Sequence, residues 1–227
     1  MSTVPPILLF PGGRQSAPPE PAPAVITLPI IDIRGKLPVR EGARPYYLRV
    51  YTQDPDAPTA AERAASLALI RGVTYHYTAS NISHTPRSIA QYQIGPEPQD
   101  PFPAIAYVFV VGGSGVVYLC HDLETRSWHS GARVDGVARN QSHVGAAWIG
   151  DYEPSTAQLL GLAVATVYSE RRLGRELPAE GHQDAYPNGA EATPCPGPTW
   201  PAWRPAVAAM VQVIRDPRYR FVLTRLE

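Results

Sequence analysis

Several residue types and patterns are scarce in this sequence of 227 residues. It has only two cysteines, Cys120 and Cys195, too few for the disulfide scaffold of a small secreted domain. Lysine occurs once, at Lys36, and the formal net charge is zero, so no overall field attracts the chain to nucleic acid. No apolar stretch approaches the roughly 20 residues of a membrane-spanning helix. We therefore expect no nucleic-acid partner and no membrane span.

The N-terminal segment 1–29 is rich in proline, with the run Pro18–Pro23 at its centre. Such a stretch has little apolar mass for a core, so it predicts an extended arm. The short apolar run Ile7–Phe10 has no basic residues before it, and we therefore expect no secretory signal. Residues 30–227 are enough for one domain with a well-buried core, which we expect to be a monomer.

Hydrophobic periodicity predicts a mixture of strands and helices in this domain. Capping-box patterns at Thr59–Glu62 and Ser155–Gln158 mark two helix starts. The mixture indicates an α/β single domain with a central, mostly mixed sheet flanked by helices. Predicted strands cover 31–33, 46–51, 73–77, 105–111, 116–119 and 143–149, and predicted helices cover 59–70, 87–94, 155–174 and 203–214.

Two separated fragments carry residues that suit a metal site. His76 follows the apolar start of a predicted strand, and His182 and Cys195 lie in a loop rich in glycine and proline. Two imidazoles and one thiolate are typical zinc ligands, and a site with three protein ligands keeps a position for water. Taken alone, His76 fits a packed core residue and Cys195 fits a buried structural thiol. Together they predict a catalytic Zn²⁺, one per chain, and therefore a hydrolase.

The same fragments resemble a known family. His76 with Thr78-Ala79, the pair Ala106-Tyr107, and His182 with Cys195-Pro196-Gly197 look like the zinc N-acetylmuramoyl-L-alanine amidases. That family includes phage lysins, bacterial wall amidases and animal peptidoglycan recognition proteins. The resemblance covers roughly residues 65–215. It implies a peptidoglycan substrate, cut at the amide bond between N-acetylmuramic acid and the L-alanine of the stem peptide.

The resemblance also implies catalytic roles for Tyr107 and Thr193. Tyr107 would hydrogen-bond the developing oxyanion, and Thr193 would donate one uncharged hydrogen bond where some phage members carry a lysine. Ala147 stands where several bacterial amidases have a glutamate, which leaves the proton acceptor open. A strand tyrosine with a surface hydroxyl is the alternative for Tyr107.

Substrate contacts are predicted at His129, Trp128 and Asn140. A structural hydrogen bond inside its loop is an equal alternative for His129, and a turn cap is one for Asn140. Asp184, two residues after His182, either orients a ligand imidazole or is a solvated turn residue.

The sequence therefore predicts a zinc-dependent peptidoglycan hydrolase of phage endolysin type, held in the host cytoplasm until its release to the cell wall. Two alternatives concern the same substrate: a non-catalytic peptidoglycan-binding module, and a cytoplasmic amidase that recycles muropeptides. A third is a structural zinc protein, with His129 as a fourth ligand.

Overall fold

A computed structural model describes residues 24–43, 47–52, 54, 56–96, 98, 101–189 and 192–226, so segment 1–23 of the predicted arm lies outside it. These residues form a single domain around a mixed seven-stranded sheet of order β8-β2-β7-β3-β4-β1-β9, in which only the β3–β4 pair is antiparallel. The strands are β1 (Ile26–Asp32), β2 (Gly72–Tyr77), β3 (Phe109–Val111), β4 (Val117–Leu119), β7 (His143–Trp148), β8 (Ala179–Gly181) and β9 (Tyr219–Arg225), and β5 (Arg133–Val134) and β6 (Val137–Ala138) form a separate ribbon.

Local sequence signals explain where the longer helices begin and end. Thr59, Thr85 and Ser155 each close a capping box with the residue three positions later. Gly174 ends the longest helix at φ 67°, a left-handed conformation that favours glycine. Within the described part of the chain, none of the helices is long and apolar enough to cross a membrane. The helices are α1 (Ala60–Ala68), α2 (Pro86–Ile94), α3 (Arg139–Ser142), α4 (Thr156–Leu173) and α5 (Trp200–Ile214), with a 3-10 turn at His182–Ala185.

The two faces of the sheet are covered by different elements. The hydrophobic core lies on one face, and the candidate site residues lie on the other. Side chains alternate along β2, so Tyr75 and His76 point to opposite faces. Tyr75 is fully buried towards α4 and α5, where its hydroxyl lies 2.8 Å from Thr166 Oγ1 and its ring contacts Trp200. The other face is covered partly by α2, which packs Ile89 into a second apolar cluster, and partly by loops. The loop-covered part is where His76 lies.

The predicted strand at 46–51 is wrong for its described part, residues 47–51. Only one isolated bridge, Leu48 with Thr125, is present there. Around the bridge, the N–H of Arg49 donates to the carbonyl of Glu124 at 3.2 Å and also to Ser66 Oγ of α1, and the N–H of Val50 donates to the same Ser66 oxygen. The pairing therefore ends after one bridge, and the side chain of Arg49 inserts among backbone carbonyls.

Two strand boundaries also differ from the sequence pattern. β3 begins only at Phe109, so residues 105–108 of the predicted strand form an irregular approach to the sheet. β1 begins at Ile26, four residues before the start of the domain proposed from the sequence. Its partner is β9 at the sheet edge, in parallel register from Ile26 with Tyr219 to Asp32 with Arg225. The residues 26–29 therefore belong to the sheet.

Candidate metal centre

Three side chains from distant parts of the sequence meet on the loop-covered face of the sheet. One ligand atom from each of His76, His182 and Cys195 lies within 4.8 Å of the others. Cys195 Sγ is 3.5 Å from His76 Nδ1, and the rings of His76 and His182 have centroids 4.4 Å apart. The parallel pairing of β2 with β8 explains the histidines, because Tyr75 is in register with Gly181 and each histidine follows its partner directly.

The loop that carries Cys195 is tied to the turn that carries His182. The N–H of Gln183 donates to the carbonyl of Cys195 at 2.7 Å. Asp184 Oδ2 accepts from the N–H of Gly181 at 2.9 Å and from Trp200 Nε1 at 2.8 Å. Asp184 therefore connects the turn to α5. The sequence left two roles open for this residue, and the first of them, a hydrogen bond to a ligand imidazole, is not present in the structure.

Burial sets the protonation of the three candidate ligands. It lowers the pKa of His76 well below its usual value, helped by the neighbouring His182 and His129, and lowers that of His182 to about 4. Burial raises the pKa of the Cys195 thiol to about 12, although the N–H of Tyr77 opposes this. In the protein alone the imidazoles are neutral at pH 7 and have a lone pair available, whereas the thiol keeps its proton until a cation replaces it.

The donor set fits Zn²⁺. Tetrahedral zinc with bonds of about 2.1 Å to nitrogen and 2.3 Å to sulfur holds its ligand atoms about 3.5 Å apart. The spacing between Cys195 Sγ and His76 Nδ1 is 3.5 Å. His182 Nε2 is buried without a hydrogen-bond partner, which is costly for a polar atom unless a ligand satisfies it. Borderline-soft N and S donors also favour zinc over Mg²⁺ or Ca²⁺.

Tyr107 lies beside this cluster. Its ring centroid is 5.4 Å from that of His76. Gln93 accepts from the N–H of Ala106 through Oε1 and also hydrogen-bonds the Tyr107 side chain. Burial and the neighbouring Cys195 raise the pKa of Tyr107, so the hydroxyl keeps its proton at neutral pH. The residue can therefore donate a hydrogen bond but cannot act as a ready base.

Thr193 lies two residues before Cys195 and is hydrogen-bonded to its backbone. Its Oγ1 accepts from the N–H of Cys195 at 3.3 Å, which leaves the hydroxyl hydrogen available for another acceptor. On the sheet, Ala147 is in register with His76 and fully buried, so this position supplies no carboxylate.

His129 is within hydrogen-bond distance of a candidate ligand. Its Nδ1 is 2.9 Å from His76 Nε2, and its Nε2 is 3.3 Å from the carbonyl of His143. Only 5% of the residue is exposed. Burial, followed by the charge of Arg49, holds the pKa of His129 well below its usual value. The predicted substrate contact stays a prediction; the sequence spacing gave no signal of the contact with His76.

The other two predicted substrate residues lie on either side of His129 in the sequence, Trp128 directly before it and Asn140 in α3. Trp128 packs edge-on against Tyr47, with Arg126 5.4 Å above its ring, and these line a cleft of about 420 Å³. Asn140 Oδ1 accepts from the N–H of Ser130 at 2.7 Å, so its side chain caps the turn after His129. Their contact with substrate remains a prediction.

A second cleft, of about 430 Å³, opens at the carboxyl ends of β3 and β7. One wall is the segment 82–86, and the other is Gly112–Ser114. Ile149 forms part of its lining and belongs to the apolar cluster against which Tyr107 packs.

Comparison with known protein families agrees with the site. The sequence profile of the N-acetylmuramoyl-L-alanine amidase family matches residues 64–198, which include all three candidate ligands as well as Tyr107 and Thr193. The chain belongs to this family. A comparison with curated protein sequences gives no match.

Solved structures of similar fold include amidases, endolysins and recognition proteins. The N-acetylmuramoyl-L-alanine amidase LysC from Clostridium intestinale URNW has a TM-score of 0.55 at 18% identity, over 81% of this chain and 97% of that one. The Ph2119 endolysin from the Thermus scotoductus MAT2119 bacteriophage has a TM-score of 0.53 at 16% identity, over 80% and 98%. The complex of peptidoglycan recognition proteins LCa and LCx with tracheal cytotoxin has a TM-score of 0.52 at 16% identity, over 85% and 99%. These confirm the predicted fold class.

Proposed function

We propose that the protein is a zinc-dependent peptidoglycan amidase, which hydrolyses the bond between the lactyl group of N-acetylmuramic acid and the L-alanine of the stem peptide. The observation that carries the proposal is the meeting of the donor atoms of His76, His182 and Cys195 within 4.8 Å in a chain of the amidase family. His76 Nδ1 and the buried, unpartnered His182 Nε2 would hold the metal together with the Cys195 thiolate. When bound, zinc supplies Lewis acidity towards water and the lactyl carbonyl.

The residues around the cluster would act on the carbonyl oxygen as negative charge develops there. Tyr107 lies next to His76 and keeps its proton, so its O–H is available as a donor. Thr193 adds a neutral donor from the other side of Cys195. A preorganised donor needs no reorganisation during the reaction, and this is why such groups lower the barrier.

The position of the clefts suggests how the substrate would lie. The stem peptide would occupy the cleft between segment 82–86 and Gly112–Ser114, which adjoins the packing partners of Tyr107. The aromatic cleft at Trp128 would then be available to the glycan, since sugar rings pack well on aromatic faces. Both clefts are open to solvent, as a polymeric substrate requires.

The test is digestion of purified sacculi by the zinc-loaded protein, followed by mass spectrometry. The expected products are glycan strands with free lactyl carboxylates and stem peptides that begin with L-alanine. Cys195→Ser is the matched control, because a neutral hydroxyl is a far poorer zinc ligand than a thiolate. New reducing sugar ends, or intact amide bonds after zinc loading, would contradict the proposal.

We further propose the lytic, endolysin-type role and not the recycling of small fragments. Support comes from two open clefts, one at the carboxyl ends of β3 and β7 and one at Trp128 next to His129, which leave room for an extended chain. Rates on intact sacculi and on soluble muropeptides distinguish the two roles. A recycling amidase would cleave the soluble fragments and leave the intact wall untouched, and a non-catalytic module would bind the wall without cleaving it.

A further inference from the structure

We propose that His129 is a positioning residue, which fixes the tautomer and the direction of His76 so that Nδ1 of that ring is the metal-binding atom. The inference rests on the proposed function, because it concerns a ligand of the same centre. It gives His129 a role different from the substrate contact expected from the sequence. Three hydrogen-bonded groups in a row carry the argument.

The row begins at a backbone carbonyl, which can only accept. His129 Nε2 lies 3.3 Å from the carbonyl oxygen of His143, so Nε2 carries the hydrogen. A neutral imidazole with hydrogen on Nε2 has a bare Nδ1, which is an acceptor. That Nδ1 is 2.9 Å from His76 Nε2 and therefore accepts the hydrogen of His76. Nδ1 of His76 is left bare, with its lone pair available.

The other end of the row agrees with this direction. His76 Nδ1 is 3.5 Å from Cys195 Sγ, which is the spacing of two ligand atoms around one tetrahedral zinc ion. The bare nitrogen of His76 therefore lies beside the sulfur of the second candidate ligand, and Nε2 of the same ring points away from it towards His129. The contacts at both ends of the row make Nδ1 the metal-binding atom of His76.

Neighbouring side chains hold the backbone around His129 and His143 in place. Arg49 is 2% exposed, and its Nη1 donates to the same His143 carbonyl at 2.9 Å, while Nε donates to the carbonyl of Leu123 at 2.9 Å. Asn140 Oδ1 accepts from the N–H of Ser130, directly after His129.

Gly145 of β7 makes room for the ring. A Cβ at this position would lie 2.6 Å from His129 Cγ and 2.7 Å from its Cβ, closer than atoms can pack. The imidazole therefore rests directly on the strand backbone, next to the strand that carries His76. Since both ring nitrogens of His129 are occupied within the protein and only 5% of the residue is exposed, it has no free polar atom for substrate.

The test compares substitutions that differ in where they place an acceptor. His129→Asn puts an amide oxygen close to the position of Nδ1, whereas His129→Gln puts it close to Nε2, out of reach of His76. His129→Phe keeps a ring but has no acceptor. We expect zinc affinity to fall about 10- to 100-fold in the Phe and Gln variants and to return near the wild-type value in the Asn variant. Competition with a chromophoric chelator measures this, and Tyr92→Phe, at an exposed position of α2, is the control that should bind zinc like the wild type.

Imidazole ¹⁵N NMR of the zinc-free full chain reads the tautomers directly. In the wild type and in His129→Asn we expect hydrogen on Nε2 of His76, and in His129→Phe a mixture of the two neutral forms. Equal zinc affinity in the wild type and the Phe variant, an unchanged His76 tautomer, or a Gln variant that binds better than the Asn variant would overturn the inference. A wild type that shows the expected tautomers and binds zinc but leaves sacculi intact would overturn the proposed function alone.

Discussion

Cys195 Sγ lies 3.5 Å from His76 Nδ1, although 119 positions separate the two residues in the sequence. The contact joins the loop before α5 to β2, the strand next to the sheet edge. It places a thiol with a raised pKa against an imidazole with a lowered one. In the absence of metal this pair is neutral, with the hydrogen on sulfur. Metal binding must therefore displace a proton.

Zinc binding should release about one proton from the protein ligands. Burial lowers the pKa of His182 to about 4 and that of His76 well below its usual value, so neither imidazole has a proton to lose at pH 6. The Cys195 thiol, with its pKa raised to about 12, loses one. Calorimetry at pH 6 in buffers of different ionisation enthalpy counts the released protons. This pH is below the pKa of about 7 of a zinc-bound water, so the water does not contribute a proton of its own. A count near zero would mean that Cys195 is already a thiolate or is not a ligand.

Tyr107→Phe should keep the fold and the zinc but lower the rate of amide cleavage by about a hundredfold or more, the scale for one oxyanion donor. The zinc content and the chelator competition curve should match those of the wild type, because the hydroxyl is not a ligand. Tyr92→Phe, on the exposed side of α2, is the matched control and should not change the rate. An unchanged rate in the Tyr107 variant would make that residue a packing side chain.

Thr193→Ala should lower the rate by about tenfold, the scale of one neutral hydrogen bond. The loss should exceed any loss in Thr193→Ser, which keeps the hydroxyl that braces the N–H of Cys195. Measuring zinc affinity in both variants separates the two contributions. If the Ala variant loses zinc in proportion to its rate, Thr193 acts by bracing Cys195 and not on the substrate.

The zinc-free protein should lose stability as the pH falls below about 6.5, in part through His143. Burial lowers the pKa of His143 to about 3, with Arg139, Arg49 and Arg71 acting in the same direction, while Glu180 lies 3.8 Å from Nε2. A group whose folded pKa is depressed binds fewer protons than in the unfolded chain, so stability falls as acid is added between the two values. The contribution of His143 to the slope of the free energy of unfolding against pH approaches about 1.4 kcal/mol per pH unit.

Urea unfolding of the zinc-free protein between pH 7 and pH 4 measures this slope. In His143→Gln the free energy of unfolding should depend less steeply on pH, by up to that amount. An identical slope in the two proteins would show that His143 titrates normally in the folded state. The comparison is between slopes, so an overall loss of stability in the variant does not affect it.

A chain that starts at residue 24 should retain zinc binding and turnover on soluble muropeptides, since all proposed ligands lie beyond residue 75. A chain that starts at Ile30 should be less stable, because it lacks the part of β1 that pairs with β9 from Ile26 with Tyr219 to Pro29 with Val222. We expect a Tm lower by several degrees. Equal melting temperatures for the two truncated chains would mean that residues 26–29 add nothing to the fold.

Local sequence signals were sufficient to predict several helices and strands. The capping boxes at Thr59 and Ser155 predicted the starts of α1 and α4, and Gly174 marked the end of α4. The apolar alternation around His76 predicted β2, because side chains on a strand must alternate between the two faces. Each of these features depends on a few neighbouring residues, and such patterns can be read without knowledge of the partner elements.

Features that depend on distant partners could not be read in the same way. The segment at 47–51 has the aromatic and branched residues of a strand, yet it makes only one bridge, and the side chain of Arg49 donates to carbonyls at positions 123, 141 and 143. β9 has exposed residues along most of its length and gains its strand pairing from β1. In both cases the decisive hydrogen bonds join residues far apart in the sequence, where spacing carries no information.

The sequence by itself determined the fold class and the types of residue at the site, because strand alternation, helix caps and the Pro194-Cys195-Pro196 loop are local properties. Only the tertiary structure decided which atoms face each other. The parallel register of β2 with β8 places His182 beside His76, and the space above Gly145 admits His129 to the other nitrogen of that ring. The chemistry of an imidazole depends on which of its nitrogens is bare, and that is set by partners that the chain brings together only on folding.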